Sequence, residues 1–462
     1  MRIKTGRPLS FSEYTAPPHS ALAEGLPRRI DAISTSSREI LPGDAFLALR
    51  GEKSDGHLYF EDAIAGGASL LIGERMPEDC ACGLTVPDTR AYLGQLSAIY
   101  AASFPHRTVA VTGSAGKTTV KELTAAILGR FFRVHKTHAN FNNELGVPLT
   151  LLSAAPCSEV IVLELGMNHA GELSALSRLA SPDIAVITNV GSAHIGMLGS
   201  REAIFAAKLE IADGLKPHGV LLYPGDDPLF CRLPKWLYAV SVGRGSLCTY
   251  RITDEASDLD GCRFTLSTPS GARMRLFLPM IGEHFLTDAA FAAATADIMG
   301  VPHDGIASAL ADSSDIVERQ KILSYGSLTV IDDCYNASPE SMRAALDVLR
   351  RYGEERRMRT VAVLGDMLEL GSFTAAAHRQ VGMQASACDR LIAFGNYAEY
   401  YAEGATAGGM PAGHIRLCGA TADVSAQLGE VIDEGDCILL KASHALHAEL
   451  LLPELRKISE GE

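Results

Sequence analysis

The stretch VAVTGSAGKTTVK, residues 109–121, reads as an apolar strand, a tight loop and the start of a helix. The apolar run stops at Thr112. Gly113 and Gly116 bracket Ser114 and Ala115, and Lys117, Thr118 and Thr119 lead into a helix-like stretch. Backbone N–H groups in such a loop point inward and can hold phosphate oxygens, with the helix dipole adding to the field. Lys117 then sits against the outer phosphates and the Thr118 hydroxyl on Mg²⁺. The loop departs from the full G-x-x-x-x-G-K-[ST] pattern, because Val111 occupies the first glycine position. Nucleotide binding is favoured over a purely structural strand-to-helix turn.

Outward from the loop, apolar strands and amphipathic helices alternate: VIVLEL (160–165), GELSALSRLA (171–180), DIAVITNV (183–190), REAIFAAKLEIADGL (201–215) and GVLLYP (219–224). This is the pattern of a doubly wound, mostly parallel α/β sheet. Residues 248–280 change to short alternating strands with Gly/Pro turns, an antiparallel insert or edge, and an Ala-rich helix spans 286–299. A second α/β region opens at LTVIDD (328–333) and continues through TVAVLGD, RLIAFG and DCILLKAS. Short strands and turns fill the first residues, with a helix from Tyr59 to Ala65 running into a strand from Ser69 to Ile72, and a further helix from Arg90 to Phe104. The expected architecture is therefore three α/β domains. These are a small mixed domain (1–84), a central P-loop domain (85–314) and a C-terminal Rossmann-like domain (315–462), with a hinge near 312–320.

Polar clusters fall at the C-terminal ends of the strands, where open α/β sheets place ligands. Glu164 ends VIVLEL and suits Mg²⁺, directly or through water; the competing role is capping the helix that starts near Gly171. His194 follows another strand end and on its own reads as a hydrogen-bonded structural residue. Lys208, flanked by alanines on a helix, reads as a solvated surface lysine, although a lysine near a metal site can also react with CO₂ to give a carbamate. Asn140, Asn142 and Asn143 crowd one loop and can hold polar ligands or make turns. Asp332, Asp333, Tyr335 and Asn336 end a strand and suit ribose or substrate contacts, with a turn before the next helix as the alternative. Cys334 has no base beside it and is not read as a nucleophile.

These segments resemble the Mur ligase family of bacterial cell-wall synthesis, along essentially the whole chain. TGSAGKTT is similar to its ATP loop, and NFNNELGVPLTLL, ELGMNHAGEL, ITNVGSAHI and AAKLEI to its central motifs. The segment STSSREILPGDAFLALRGEKSDGH resembles a uridine-nucleotide-binding domain of the family. DDCYNASPESMRAAL and AVLGDMLELG resemble the branch whose substrates are UDP-N-acetylmuramoyl-tripeptide and D-alanyl-D-alanine. The resemblance implies an ATP-dependent, amide-forming ligase working through an acyl phosphate with two Mg²⁺ ions. It assigns the loop from Thr112 to Thr119, with His284, Arg319 and Asp333, to ATP. One Mg²⁺ falls to Thr118 and Glu164, the other to His194 and a carbamylated Lys208; Lys117, His194 and Lys208 are the catalytic set. Ser37 and Arg38 go to the uridine part, Asn140, Asn142, Asn143, Asn168 and Asn336 to substrate, and the incoming dipeptide to the C-terminal domain. Closure of the third domain on the second would exclude water from the acyl phosphate.

Several positions depart from the family's strings. Phe285 and Asp288 replace asparagines of an adenine-pocket string, and Phe285 could stack on a base instead. Ser36 stands for an aspartate, Ser338 for an asparagine, and Ala442 with His444 for a glycine and an arginine. These motivate an alternative, a divergent family member joining another amine to another carboxylate. The net charge of −14 over 462 residues argues against nucleic acid or an anionic membrane as partner. No apolar run approaches the length of a membrane span, and the N-terminus lacks a signal-peptide core. Ten scattered cysteines fit free thiols in a reducing cytoplasm, and with no heptad pattern a monomer is expected.

Overall fold

The computed structural model describes residues 1–51, 54–78, 80–313 and 320–460. Three sheets organise it, of six, nine and six strands. In the nine-stranded sheet Arg107–Thr112 runs parallel between Ile184–Ile187 and Val160–Glu164, pairing Thr112 with Ile187 and Val111 with Glu164. The sheet continues in parallel through Val220–Pro224, Ala239–Gly243 and Tyr250–Asp258. It ends in the antiparallel strands Gly261–Ser267 and Arg273–Leu278, the insert expected at 248–280.

Both faces of the parallel part of this sheet are covered, which is why Val160–Glu164, Ile184–Ile187 and Val220–Pro224 are apolar runs, whereas the antiparallel edge strand Arg273–Leu278 alternates. On one face lie the helices Lys117–Gly129 and Glu283–Ile298. The second is buried nearly all round, and its run of alanines lets it approach closely. It begins at Glu283, earlier than its apolar pattern suggests. On the other face Gly146–Ser153 and Glu172–Ala180 share one apolar cluster with the helix Thr89–Ala102, with Leu9 of the first sheet and with Tyr14 of the short helix that follows it. Tyr92 Oη donates to the Tyr14 carbonyl and Tyr100 Oη to the Ala154 carbonyl, both at 2.7 Å, so this helix joins the N-terminal and central parts. Arg2–Ser10 forms a strand absent from the sequence reading; its charged residues, Gly6 and a register shift between Lys4 and Leu9 hide the alternation.

In the C-terminal sheet Cys437–Lys441 inserts between Leu328–Asp332 and Thr360–Gly365, with Arg390–Phe394 and Ile415–Cys418 beyond, all parallel. Lys321–Tyr325 adds an antiparallel edge. The helices Thr374–Ala385 and Ala398–Ala407 pack backbone to backbone: a Cβ on Gly404 would lie 2.0 Å from the Arg379 carbonyl oxygen. No helix among the described residues is long and apolar enough to cross a membrane. Gly404→Ala should lower the unfolding free energy by about 1–3 kcal/mol, the cost of overpacking a rigid contact. Chemical denaturation reads this directly, and an unchanged midpoint would mean the two helices part freely.

Candidate active site

The phosphate loop is held in shape before any ligand arrives. A Cβ on Gly113 would lie 1.8 Å from Thr188 Oγ1, and one on Gly116, at φ +77°, 2.4 Å from Asp288 Oδ1. Only glycine meets both demands. Asn189 Oδ1 accepts from the N–H groups of Ser114 (3.1 Å) and Ala115 (2.9 Å), while its Nδ2 donates to the Ala115 carbonyl. Thr188 Oγ1 donates to the same carbonyl, and Ser114 Oγ accepts from Gly191 N–H. The amides of Ser114 and Ala115 thus shape the loop, and the N-terminal turn of the helix from Lys117 opens into the cleft. Lys117 Nζ donates to the Gly113 carbonyl at 2.9 Å.

Next to the loop, pairing along the sheet brings up Glu164, which is 2% exposed. Its Oε1 accepts from Asn142 Nδ2 at 2.8 Å, and its Oε2 is buried without a partner. Glu164 does not cap the helix after Gly171; Glu210 accepts from the Gly171 and Ser174 N–H groups instead. Lys208 is 1% exposed, not the solvated lysine its sequence context suggests. Burial, and then the charge of Lys117, push its ammonium well below the ordinary lysine range. An orphaned carboxylate oxygen beside a phosphate loop suits Mg²⁺, which prefers one or two carboxylates completed by substrate phosphates. Among the described residues no cluster of three or more His, Cys, Asp or Glu forms a metal cage. The donor set therefore fits an ion shared with a nucleotide.

The asparagines divide their work. Asn143 Oδ1 accepts from Leu145 and Gly146 N–H, capping the helix Gly146–Ser153, while Asn142 holds Glu164 and Asn140 lines the cleft. From the C-terminal domain, Lys441 is fully buried, with Nζ 2.5 Å from Asp333 Oδ2 and donating to the Asn336 carbonyl. Glu340 Oε1 accepts from Ser192 N–H at 2.8 Å. His194 Nδ1 stands 2.9 Å from Glu369 Oε2, and that contact above all holds the Glu369 carboxyl below its usual range. Gly196 N–H donates to the Glu369 carbonyl, and a Cβ on Gly196 would lie 2.5 Å from Gly371 N.

The resulting cleft, about 1560 Å³, is lined by both domains. It gathers Gly113, Ser114, Ala115, Gly116, Lys117, Thr118, Thr119, Asn140, Asn142, Asn143, Glu164, Asn168, His194, Lys208, His284, Asp333 and Asn336. Thr112 is buried beneath the loop, and Ser37 and Arg38 sit on a 3₁₀ turn of the N-terminal domain that does not line the cleft. Arg319 and most of the expected hinge lie outside the described residues. Phe285 is buried in the core cluster and also forms part of the cleft wall beside His284. Cys334 is buried with its thiol pushed far up, as an inert packing residue requires. Sequence reasoning missed Asn189, Glu340 and Lys441; only their positions just past strand ends or at a helix start signalled them.

A preformed phosphate loop, a carboxylate beside it with one oxygen unpaired, and a second domain facing both define an ATP-using enzyme of the P-loop class. Family profiles narrow this. The Mur ligase middle domain matches residues 111–296, the glutamate ligase domain 318–444 and the catalytic domain 29–101. The UDP-N-acetylmuramoyl-tripeptide–D-alanyl-D-alanine ligase of Bacillus subtilis is 37% identical over 92% of this chain and 93% of its own. Among solved structures, MurF from Acinetobacter baumannii superposes with a TM-score of 0.88 at 32% identity, covering 98% of this chain and 99% of that one. MurF from Thermotoga maritima, in complex with ADP, gives 0.82 at 27%, covering 93% and 98%. The chain belongs to the Mur ligase family.

His284 lines the cleft with its ring against Phe285, centroids 4.0 Å apart. Burial pushes its titration down to about 4 against the opposing pull of Asp333, so the ring is neutral at pH 7 and offers hydrogen bonds rather than charge. The unfolded chain takes up this proton near the ordinary value of about 6.5, the folded chain only lower. Stability from this residue is therefore complete above about 6.5 and drains as the pH falls toward 4. An NMR titration compared with His284→Gln should place the midpoint near 4; a normal midpoint would return a cation to the cleft.

Proposed function

We propose that this chain adds D-alanyl-D-alanine to UDP-N-acetylmuramoyl-tripeptide, in the making of peptidoglycan precursors. ATP-dependent amide-bond formation with Mg²⁺ comes with the family; the particular substrates follow the Bacillus subtilis relative, whose full length this chain nearly spans. The observation that carries the reading is Lys208, an amine buried beside Lys117 in the same cleft as the unpaired oxygen of Glu164. Burial and the charge of Lys117 favour its neutral, nucleophilic form; that form attacks CO₂, loses a proton, and becomes an N-carboxylate whose charge offsets that of Lys117.

In this reading Lys117 and the helix N-terminus hold the outer phosphates of ATP, with His284, Asp333 and Arg319 on the nucleotide. Thr118 and Glu164 would hold one Mg²⁺, and His194 with a carbamylated Lys208 the other. Bound there, the ions would offset phosphate charge and so let an anionic carboxylate approach. The tripeptide's terminal carboxylate takes the γ-phosphoryl group, giving an acyl phosphate and ADP. The dipeptide's amine attacks the acyl carbon, and phosphate leaves. Asn140, Asn142, Asn143, Asn168 and Asn336 line the substrate's path; Ser37 and Arg38 in residues 1–84 take the uridine end, and residues 315–462 the dipeptide. Closure through Ser192–Glu340, His194–Glu369 and Gly196–Gly371 keeps water from the acyl phosphate. We read the enzyme as a cytoplasmic monomer, in keeping with ten free cysteines. His444, lining the cleft near Tyr335, is the observation that favours the second reading, a family member with another acceptor.

Purified protein with ATP and Mg²⁺ should release phosphate only when both substrates are present, yielding a product heavier by the dipeptide. Turnover with the tripeptide nucleotide but only with another amine would establish the second reading. ¹³C-bicarbonate should give a lysine carbamate NMR signal that Lys208→Ala lacks, and that variant should lose ligation by several orders of magnitude. Full activity in Lys208→Ala would end the carbamate assignment.

A further inference from the structure

Lys121 stands one helical turn beyond Lys117 and is fully buried. Its Nζ donates to the Thr137 carbonyl at 2.9 Å and lies 2.8 Å from Glu122 Oε1, while the other Glu122 oxygen meets Lys136 Nζ. Thr137 is itself fully buried where the strand Val134–Lys136 gives way to the asparagine loop. Its N–H donates to the Val162 carbonyl at 3.0 Å, and its Oγ1 accepts from the Glu164 N–H at 3.0 Å. At the far end of the same loop Asn142 donates to Glu164 Oε1, and its carbonyl accepts from Gly166 N–H at 2.8 Å. The loop thus grips Glu164 from its backbone and from its carboxylate.

We propose that Lys121 is a positioning residue that fixes Glu164 and the asparagine loop at a set distance from the phosphate loop. One rigid helix carries Lys117 to the phosphates and Lys121 to Thr137, so the spacing between phosphate and carboxylate is built into a single turn of helix. Burying an ammonium is costly, and an alkyl side chain of similar volume packs more cheaply. The charge does what an alkyl group cannot, which is to hold a carbonyl oxygen in place. A carboxylate that ligates Mg²⁺ gains from such support, because groups behind the ligands set their orientation and affinity. The inference rests on the reading of Glu164 as a metal ligand.

The test uses the full chain and Mn²⁺ as an EPR-visible stand-in for Mg²⁺, bound in the presence of a non-hydrolysable ATP analogue. Lys121→Met should weaken Mn²⁺ binding about tenfold or more. Metal-free affinity for the analogue should be unchanged, and the thermal midpoint held or raised. Thr137→Val, which keeps the lysine but removes the hydroxyl under Glu164, should shift Mn²⁺ binding the same way, and Thr137→Ser should restore it. A lowered midpoint in Lys121→Met with wild-type Mn²⁺ affinity would make the lysine merely structural and overturn the proposal. If Lys121→Met does not fold, equal Mn²⁺ affinity in the valine and serine variants overturns it instead. Failure of the wild type to bind Mn²⁺ with the analogue is a separate result, which removes Glu164's assignment and this inference with it.

Discussion

Parallel pairing of three strands is the constraint from which the site follows. Because Arg107–Thr112 lies in register between Val160–Glu164 and Ile184–Ile187, the segments leaving all three emerge at one edge of the sheet. The middle strand delivers the phosphate loop, one neighbour delivers Glu164, and the other delivers Thr188 and Asn189. Neither neighbour acts at a distance. Asn189 shapes the loop by direct hydrogen bonds, and Glu164 sits one residue of pairing from the strand that feeds it. A shift of register would part the carboxylate from the loop and turn alternate side chains to the opposite face.

Charge is concentrated where water is scarce. Lys208, Lys121, Lys441 and Glu164 are all essentially buried, and each buried ion costs several kcal/mol unless paired. Lys441 is satisfied by Asp333, and Lys121 by Glu122 and a carbonyl. One oxygen of Glu164 is not satisfied in this way, and Lys208 is buried with the like charge of Lys117 nearby, so the cleft keeps an unmet electrostatic demand. Phosphates and a divalent metal ion are species whose charges answer it. The same groups that weaken the chain therefore strengthen its hold on ligand, as expected where a site is organised before the ligand arrives.

The architecture was legible because both cues to it are local. Apolar runs announce buried parallel strands, and glycines flanking Ser114-Ala115 announce a turn only they can make. Lys208 was misjudged from its neighbours, since alanines beside a lysine say nothing of what packs above it; only the folded crossover buries it. A substitution in a motif shows that an amide is gone, not that the ring of Phe285 packs against His284 in the cleft wall. Asn189, Glu340 and Lys441 act through contacts between segments far apart in sequence, and no window of residues contains such information. The edge strand Arg2–Ser10 was hidden because edge strands tolerate charge and bulges.

The two junctions between domains are built from different chemistry. Between the first and second, the helix Thr89–Ala102 threads a single apolar cluster running from Leu9 and Tyr14 to Leu149 and Leu176. Separating these parts would expose a core, so they move together. Between the second and third, the contacts around the cleft are a carboxylate on a backbone N–H, an imidazole against a carboxylate, and two glycines touching, with Ile195 among the few apolar groups that cross. Water can replace most of these on opening. His194 and Glu369, which face each other there, both hold left-handed backbone at φ +65°, a conformation that costs a non-glycine residue about 1–3 kcal/mol. An interface of exchangeable polar contacts with strain at its centre closes readily over substrates and opens again to release product. Of the two junctions, the fold thus places the less costly one across the reacting groups.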